Sequence, residues 1–186
     1  MASNTYGLQD AYDAAWHFAA EAHNNQKLPG SDLPYLVHIG WVAGEVLIAL
    51  QHEMVSDPAF AVQCAILHDV LEDTTISYDT LCTDFGRKVT DGVAALTKNA
   101  ALPKDQRMRD SLERISAMPK EIGMVKLADR IANLRPPPGH WDERKIAEYA
   151  DEARIILEKI GDASPYLRQR LEIRLREYRL NFLSLR

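Results

Sequence analysis

The sequence predicts an all-α fold, a bundle of eight or nine helices in a single domain over residues 1–186, and three observations predict it. Apolar residues recur at three- and four-residue intervals along most of the chain. Capping residues, several followed by proline, stand where those patterns begin. No stretch alternates apolar and polar residues as a half-buried strand would.

Leu8 to His23 carries Leu8, Ala11, Tyr12, Ala15, Phe18, Ala19 and Ala22 on one broad stripe, and the polar run Asn24 to Asp32, with Pro29 and Gly30, stops it. Tyr35 to Gln51 is a second, aliphatic helix with His38 inside its first turns. Ser56-Asp57-Pro58 caps and starts a third, which runs into Leu67-His68-Asp69. Ser77 opens a helix at Tyr78 that Phe85-Gly86 breaks and Arg87 to Thr97 continues. Pro103 to Ala117 is charged and amphipathic, and Pro119 separates it from Glu121 to Leu134, whose Met124, Val125, Leu127, Ala128, Ile131 and Leu134 form an apolar stripe. Pro136-Pro137-Pro138-Gly139 is a hard stop, Asp142 caps a helix to about Ile160, and Ser164-Pro165 begins a last one with a basic outer face. That basic run, Arg168 to Arg186, reads as a solvated face or a surface for self-association into a homo-oligomer.

Composition narrows the function classes. A chain of 186 residues, 46% hydrophobic and 26% charged, is an ordinary globular one able to bury a core without staples. No run approaches the roughly 18 apolar residues of a membrane span, and Met1 to Tyr6 has neither the basic nor the apolar region of a secretory signal. Cys64 and Cys82 lie in apolar helical patterns with no CxxC spacing and read as reduced core thiols, so a cytoplasmic protein is expected. The net charge of −5 argues against a broad nucleic-acid surface. A small anionic ligand remains open, provided its positive partners are local.

The densest chemistry is in Leu67-His68-Asp69-Val70-Leu71-Glu72-Asp73, where an imidazole and three carboxylates end an apolar run. On a continuous helix His68 would pair with Glu72, and Asp69 with Glu72 and Asp73. Clustered carboxylates repel and are costly to desolvate; a divalent cation neutralises them and takes the imidazole nitrogen as a ligand. Distant partners are then needed. His38 on its apolar helix is one candidate, although a lone histidine in such a place is more often a satisfied core histidine. Asp129, mid-helix among Leu127, Ala128 and Ile131, is the second; its alternative is an acid paired with Arg130 or Lys126 on a solvated face. Lys126 and Asn133 share its face. Two imidazoles and two carboxylates suit Mn²⁺ or Fe²⁺ with water in the remaining positions.

The order His38, His68-Asp69, Asp129 resembles the HD-domain metal phosphohydrolases. Pro34-Tyr35-Leu36-Val37-His38, Leu67 to Thr74 and Val125 to Arg135 are similar to the hydrolase half of RelA/SpoT-type alarmone enzymes, and the length, with Trp141, Glu148 and Tyr149, to the small alarmone hydrolases. The resemblance spans roughly residues 8 to 160. It implies a Mn²⁺-dependent 3′-pyrophosphohydrolase acting on a nucleotide, guanosine tetra- or pentaphosphate, with His38, His68, Asp69 and Asp129 as metal ligands. It also implies that Glu72 and Asp73 orient or deprotonate the attacking water, that Asn133 touches substrate, and that Lys104, Lys145 and Tyr149 lie on the phosphate side.

One departure stands out. Where the family carries an Arg-Lys pair that packs on and reads the guanine, this chain has Leu28 and Pro29, with only Lys27 nearby. Arginine stacks on a base and donates to its acceptors; leucine offers apolar contact alone. An adenine alarmone or a looser purine preference is therefore expected beside the guanine one. Two alternatives stand behind the hydrolase reading: an HD phosphohydrolase for a nucleoside monophosphate or NADPH, and an alarmone sensor that does not cleave.

Overall fold

The computed structural model describes residues 7–183. Among them are nine α-helices and one 3₁₀ turn: α1 (Leu8–Ala22), α2 (Leu36–His52), α3 (Pro58–Leu67), α4 (Val70–Asp73), α5 (Tyr78–Leu96), α6 (Lys104–Ser116), α7 (Lys120–Asn133), α8 (Glu143–Ile160), the 3₁₀ turn Gly161–Ala163, and α9 (Pro165–Phe182). No strand occurs among the described residues; the nearest thing is an isolated antiparallel bridge between Lys27 and Pro34 that closes the loop between α1 and α2. The all-α expectation holds. The N-terminal stretch Met1 to Tyr6 and the last residues of the basic C-terminal run lie outside the described residues. Among the described residues no helix is long and apolar enough to cross a membrane.

The predicted caps are real hydrogen bonds. Asp57 accepts from Phe60 N at 3.0 Å, Ser77 from Thr80 N at 3.1 Å, Asp142 from Lys145 N at 2.8 Å and Ser164 from Leu167 N at 3.0 Å, each filling one of the orphan donors of a first turn. Gly86 breaks α5 as its sequence predicts, with φ +76, a left-handed conformation that costs glycine nothing.

The bundle is built around α7. From Glu121 to Ala132 every residue of this helix is buried, because α2 and α3 cover one side and α9 and α8 the other. A helix enclosed all round should be apolar all round, yet α7 buries Glu121, Lys126, Asp129 and Arg130. Each has been given a partner: Glu121 accepts the Asp57 N–H at 3.0 Å, Lys126 pairs with Asp129 at 2.8 Å, and Arg130 donates to Glu152 at 3.1 Å while lying 4.2 Å over the Tyr149 ring. Two of these side chains, Lys126 and Asp129, lie where the core opens into a cavity.

Candidate metal centre

Three elements bring the histidines and aspartates together. α2 supplies His38, α7 supplies Asp129, and the end of α3 supplies His68 and Asp69. The sequence suggests one continuous helix through Asp73, and here the structure differs. α3 ends at Leu67, His68 is its C-cap, Asp69 caps the four-residue α4, and the chain turns between them. Adjacent residues on a straight helix diverge by about 100°; the turn lets two neighbours aim at one point, so that His68 Nε2 lies 2.8 Å from Asp69 Oδ2.

His38 Nε2 faces His68 Nε2 at 3.2 Å, and lies 3.5 Å from both Asp69 Oδ2 and Asp129 Oδ1. Asp129 Oδ1 is 3.9 Å from His68 Nε2. His38, His68 and Asp69 offer donor atoms all within 4.8 Å of one another. The ring of His68 is fixed by its far nitrogen: Nδ1 lies 2.8 Å from the Ala65 carbonyl, which can only accept, so Nδ1 carries a proton and Nε2 faces inward. His38, His68 and Asp69 thus form a close group, with Asp129 beside the two histidines in the same cavity, and such a set attracts positive charge. Burial opposes a charged His38, but the hydrogen bonds and charges of Asp129 and Asp69 prevail and raise its pKa to about 9. His68 is pushed upward by Asp69 against the same burial. Burial works to raise the carboxyl of Asp69, yet His68 and His38 hold it well below the usual range. This donor set fits a divalent cation of intermediate hardness.

The carboxylates are held from behind. Tyr35, 8% exposed and packed between the rings of His23 and His38, donates from Oη to Asp69 Oδ2 at 2.5 Å. Asp129 accepts from Lys126 Nζ at 2.8 Å and from Asn133 Nδ2 at 2.5 Å. Against the pull of burial, Lys126 and His38 keep the Asp129 carboxyl far below its normal pKa. Glu72 is also engaged: its Oε1 accepts from Lys98 Nζ at 2.8 Å and its Oε2 from the Lys98 backbone N–H at 2.9 Å. Asp73 is exposed at the mouth, and burial, Asp69 and Glu72 together raise its carboxyl pKa.

These groups line a cavity of about 120 Å³ bordered by Tyr35, His38, His68, Asp69, Glu72, Asp73, Leu96, Lys98, Lys126, Asp129 and Asn133. A larger hollow of about 690 Å³ lies elsewhere, between α1, α3 and α5, but its ionic pair of Asp57 and Lys88 is already spent on capping α3. The smaller cavity holds the chemistry because there, alone among the described residues, three or more histidine and carboxylate donors converge.

Four further sequence candidates lie outside that lining. Lys27 is exposed and paired with Asp32 at 2.5 Å. Lys104 is exposed at the first residue of α6. Lys145 lies over the Trp141 ring at 4.6 Å. Tyr149 packs edge-on against Trp141 and beneath Arg130, and burial raises its phenol pKa to about 12. Sequence reasoning missed Tyr35 and Lys98. Tyr35 sits inside the Pro34-to-His38 motif, but its partner is 34 positions away; Lys98 has no local signal, and Glu72 is 26 positions before it.

Residues 15–162 match the HD domain family. The guanosine-3′,5′-bis(diphosphate) 3′-pyrophosphohydrolase MESH1 of Danio rerio is 30% identical over 161 residues, 84% of this chain and 87% of its own. That of Xenopus tropicalis is 31% identical over 163 residues, 85% of this chain and 89% of its own. The GTP pyrophosphokinase of Myxococcus xanthus is 35% identical over 156 residues, but only 20% of its length takes part. A solved metazoan ortholog of SpoT, described as hydrolysing ppGpp, superposes with a TM-score of 0.79 at 24% identity, over 90% of this chain and 94% of that one, which establishes the shared fold.

Proposed function

The chain belongs to the HD-domain family and is a hydrolase of the guanosine-3′,5′-bis(diphosphate) 3′-pyrophosphohydrolase type, and on that premise we propose that it removes the 3′-diphosphate from a purine alarmone with Mn²⁺ bound by His38, His68, Asp69 and Asp129. The observation that carries this reading is the meeting of those four donors in one cavity whose mouth is lined by acidic and cationic side chains. One HD-type domain over residues 1–186, acting in the cytoplasm on a small nucleotide, is the setting proposed with it; no nucleic-acid or membrane partner is invoked, and self-association through the basic face of α9 is compatible with it.

A divalent cation held there supplies Lewis acidity, neutralising phosphoryl oxygens and acidifying water. The protein does the rest. His68, locked through Ala65, and His38 present their Nε2 atoms; Tyr35 keeps Asp69 turned inward, and Lys126 with Asn133 keeps Asp129 so. Asp73, at the mouth, accepts the proton of the attacking water at a carboxylate oxygen. The water oxygen bonds the phosphorus as the bond from that phosphorus to the 3′ oxygen breaks, pyrophosphate leaves with the water's oxygen, and the 3′ oxygen takes a proton from solvent. A cavity of about 120 Å³ takes the reacting phosphate rather than a whole nucleotide, so the nucleoside lies across the rim.

Leu28 supports the adenine alarmone as a second substrate. The Leu28 N–H bonds the Leu33 carbonyl at 2.8 Å and its own carbonyl accepts from Ser31 N at 3.0 Å, which leaves only an aliphatic side chain to meet a base. The deciding measurement is Mn²⁺-supplemented hydrolysis of ppGpp and ppApp side by side, with pyrophosphate release followed by chromatography. Release from either establishes the reaction, and the ratio reads the base preference. Retained metal with no release from either would overturn the proposal in favour of another phosphorylated nucleotide or of sensing without cleavage.

A further inference from the structure

Two cations line the cavity, and they are not equivalent. Lys126 is 8% exposed and committed to Asp129. Lys98, exposed just past the end of α5, follows Leu96 and Thr97 around the rim. Its ammonium has three donors and spends one on Glu72 at 2.8 Å. Glu72 in turn uses both oxygens on residue 98, one for the ammonium and one for the backbone N–H at 2.9 Å. A carboxylate that grips both the backbone and the side chain of one residue fixes where that residue points.

We propose that Lys98 is a substrate-binding cation for the diphosphate at the cavity mouth and that Glu72 is its positioning residue, leaving proton transfer to Asp73 alone. The proposal rests on the hydrolase reading above for the identity of the anion, but its geometry stands apart from it. The cavity lining carries Asp69, Glu72, Asp73 and Asp129 against Lys98 and Lys126. A multiply charged phosphate approaching such a wall needs a cation not already neutralised by a buried aspartate, and Lys98 supplies it. Lys98 borders the same cavity as Asp69 and Asp129, and its ammonium is held there by Glu72. Arg107, which ties down the Ala100 and Leu102 carbonyls at 2.9 Å each, holds the following loop in place behind it.

The test uses the full-length Mn²⁺-loaded protein and two readouts. Inorganic pyrophosphate is titrated by calorimetry into wild type and into the Lys98→Ala, Lys98→Arg, Glu72→Gln and Asp73→Asn variants, and the same proteins are assayed for ppGpp turnover. Losing one charge-assisted contact lowers affinity about ten- to hundredfold. Lys98→Ala is therefore expected to weaken pyrophosphate binding and raise KM by that factor with kcat little changed, and Lys98→Arg to recover most of it. Glu72→Gln follows Lys98→Ala in both readouts, and the double variant Glu72→Gln with Lys98→Ala is no worse than either alone. Asp73→Asn loses kcat and keeps pyrophosphate affinity. Pyrophosphate binding by Lys98→Ala within twofold of wild type overturns the role of Lys98. A collapse of kcat in Glu72→Gln with KM and pyrophosphate affinity unchanged makes Glu72 a proton acceptor and overturns its positioning role. If wild type releases nothing from ppGpp, the substrate assignment fails, while the calorimetry still decides for or against Lys98.

Discussion

Replacing Asp129 by asparagine removes one charge and almost no volume, which makes it a sharp probe of the buried pair with Lys126. Both residues are 8% exposed and their charged atoms lie 2.8 Å apart. Breaking a buried pair from one side costs about 3–5 kcal/mol, because the orphaned charge stays desolvated. Asparagine keeps an acceptor oxygen for Lys126, so the lower end, about 3 kcal/mol, is expected. For a chain of 186 residues, where 1 kcal/mol shifts Tm by about 2–4 °C, the drop is about 6–12 °C. Lys126→Met should cost a similar amount by stranding Asp129. The double variant should recover most of the loss, since replacing both ions leaves neither partner of this pair stranded. Thermal melts by circular dichroism in chelator, with urea titrations beside them, measure the whole cycle. Additive losses in the double variant, or an unchanged Tm in Asp129→Asn, would refute the view that these two charges stabilise each other inside the core.

Tyr35→Phe deletes the donor behind Asp69 and should weaken Mn²⁺ binding about ten- to hundredfold by calorimetry, with the fold intact; unchanged affinity would remove Tyr35 from the site. Gly92→Ala places a Cβ 2.7 Å from Ile122 Cδ1 and 2.9 Å from Cys64 Sγ. Overpacking of about 1–3 kcal/mol outweighs the gain of about 0.5–1 kcal/mol in helix propensity, so Tm falls, whereas Gly44→Ala in α2, with nothing within 4 Å of its Cβ, should raise it. Asp57→Ala should cost about 1 kcal/mol through the lost cap of α3. Burial tends to raise the Asp57 carboxyl, but Lys88 and the Phe60 and Ala59 N–H groups lower it below 3.8. The contribution is thus present above the unfolded value and lost as pH falls through the folded one. Urea midpoints of wild type and Asp57→Ala should converge below about pH 3.8; a constant gap would mean the carboxylate charge is irrelevant.

The helices were legible because their starts are chemical: Asp57, Ser77, Asp142 and Ser164 cap where a capping side chain precedes an apolar stripe, and Gly86 kinks where only glycine is comfortable. His38, His68, Asp69 and Asp129 could be gathered from sequence by motif, and the fold brings them to one cavity. The turn at His68-Asp69 was not legible, because i, i+4 spacing reads the same whether or not the backbone ladder is interrupted between the two residues. Tyr35 and Lys98 escaped because their worth lies in partners far along the chain. Lys27, Lys104, Lys145 and Tyr149, taken from resemblance, stand outside the cavity lining: a long side chain beyond the site finds a local partner, as Lys27 does in Asp32 and Lys145 in Trp141.

The clamp between α3 and α7 has a kinetic consequence. Glu121 ties the start of α7 to the start of α3 through Asp57, and Asp129 meets His68 where α3 ends. α7, tied to α3 at its start and buried from Glu121 to Ala132, parts from its neighbours only when the molecule as a whole opens, so the amides of Val125 to Ala128 should exchange with solvent at the slow rate of global unfolding. The short α4 and the exit past Lys98, with few buried neighbours, should exchange by local excursions many times faster. Hydrogen exchange would then divide the cavity into a wall that keeps time with the whole protein and a rim that keeps its own.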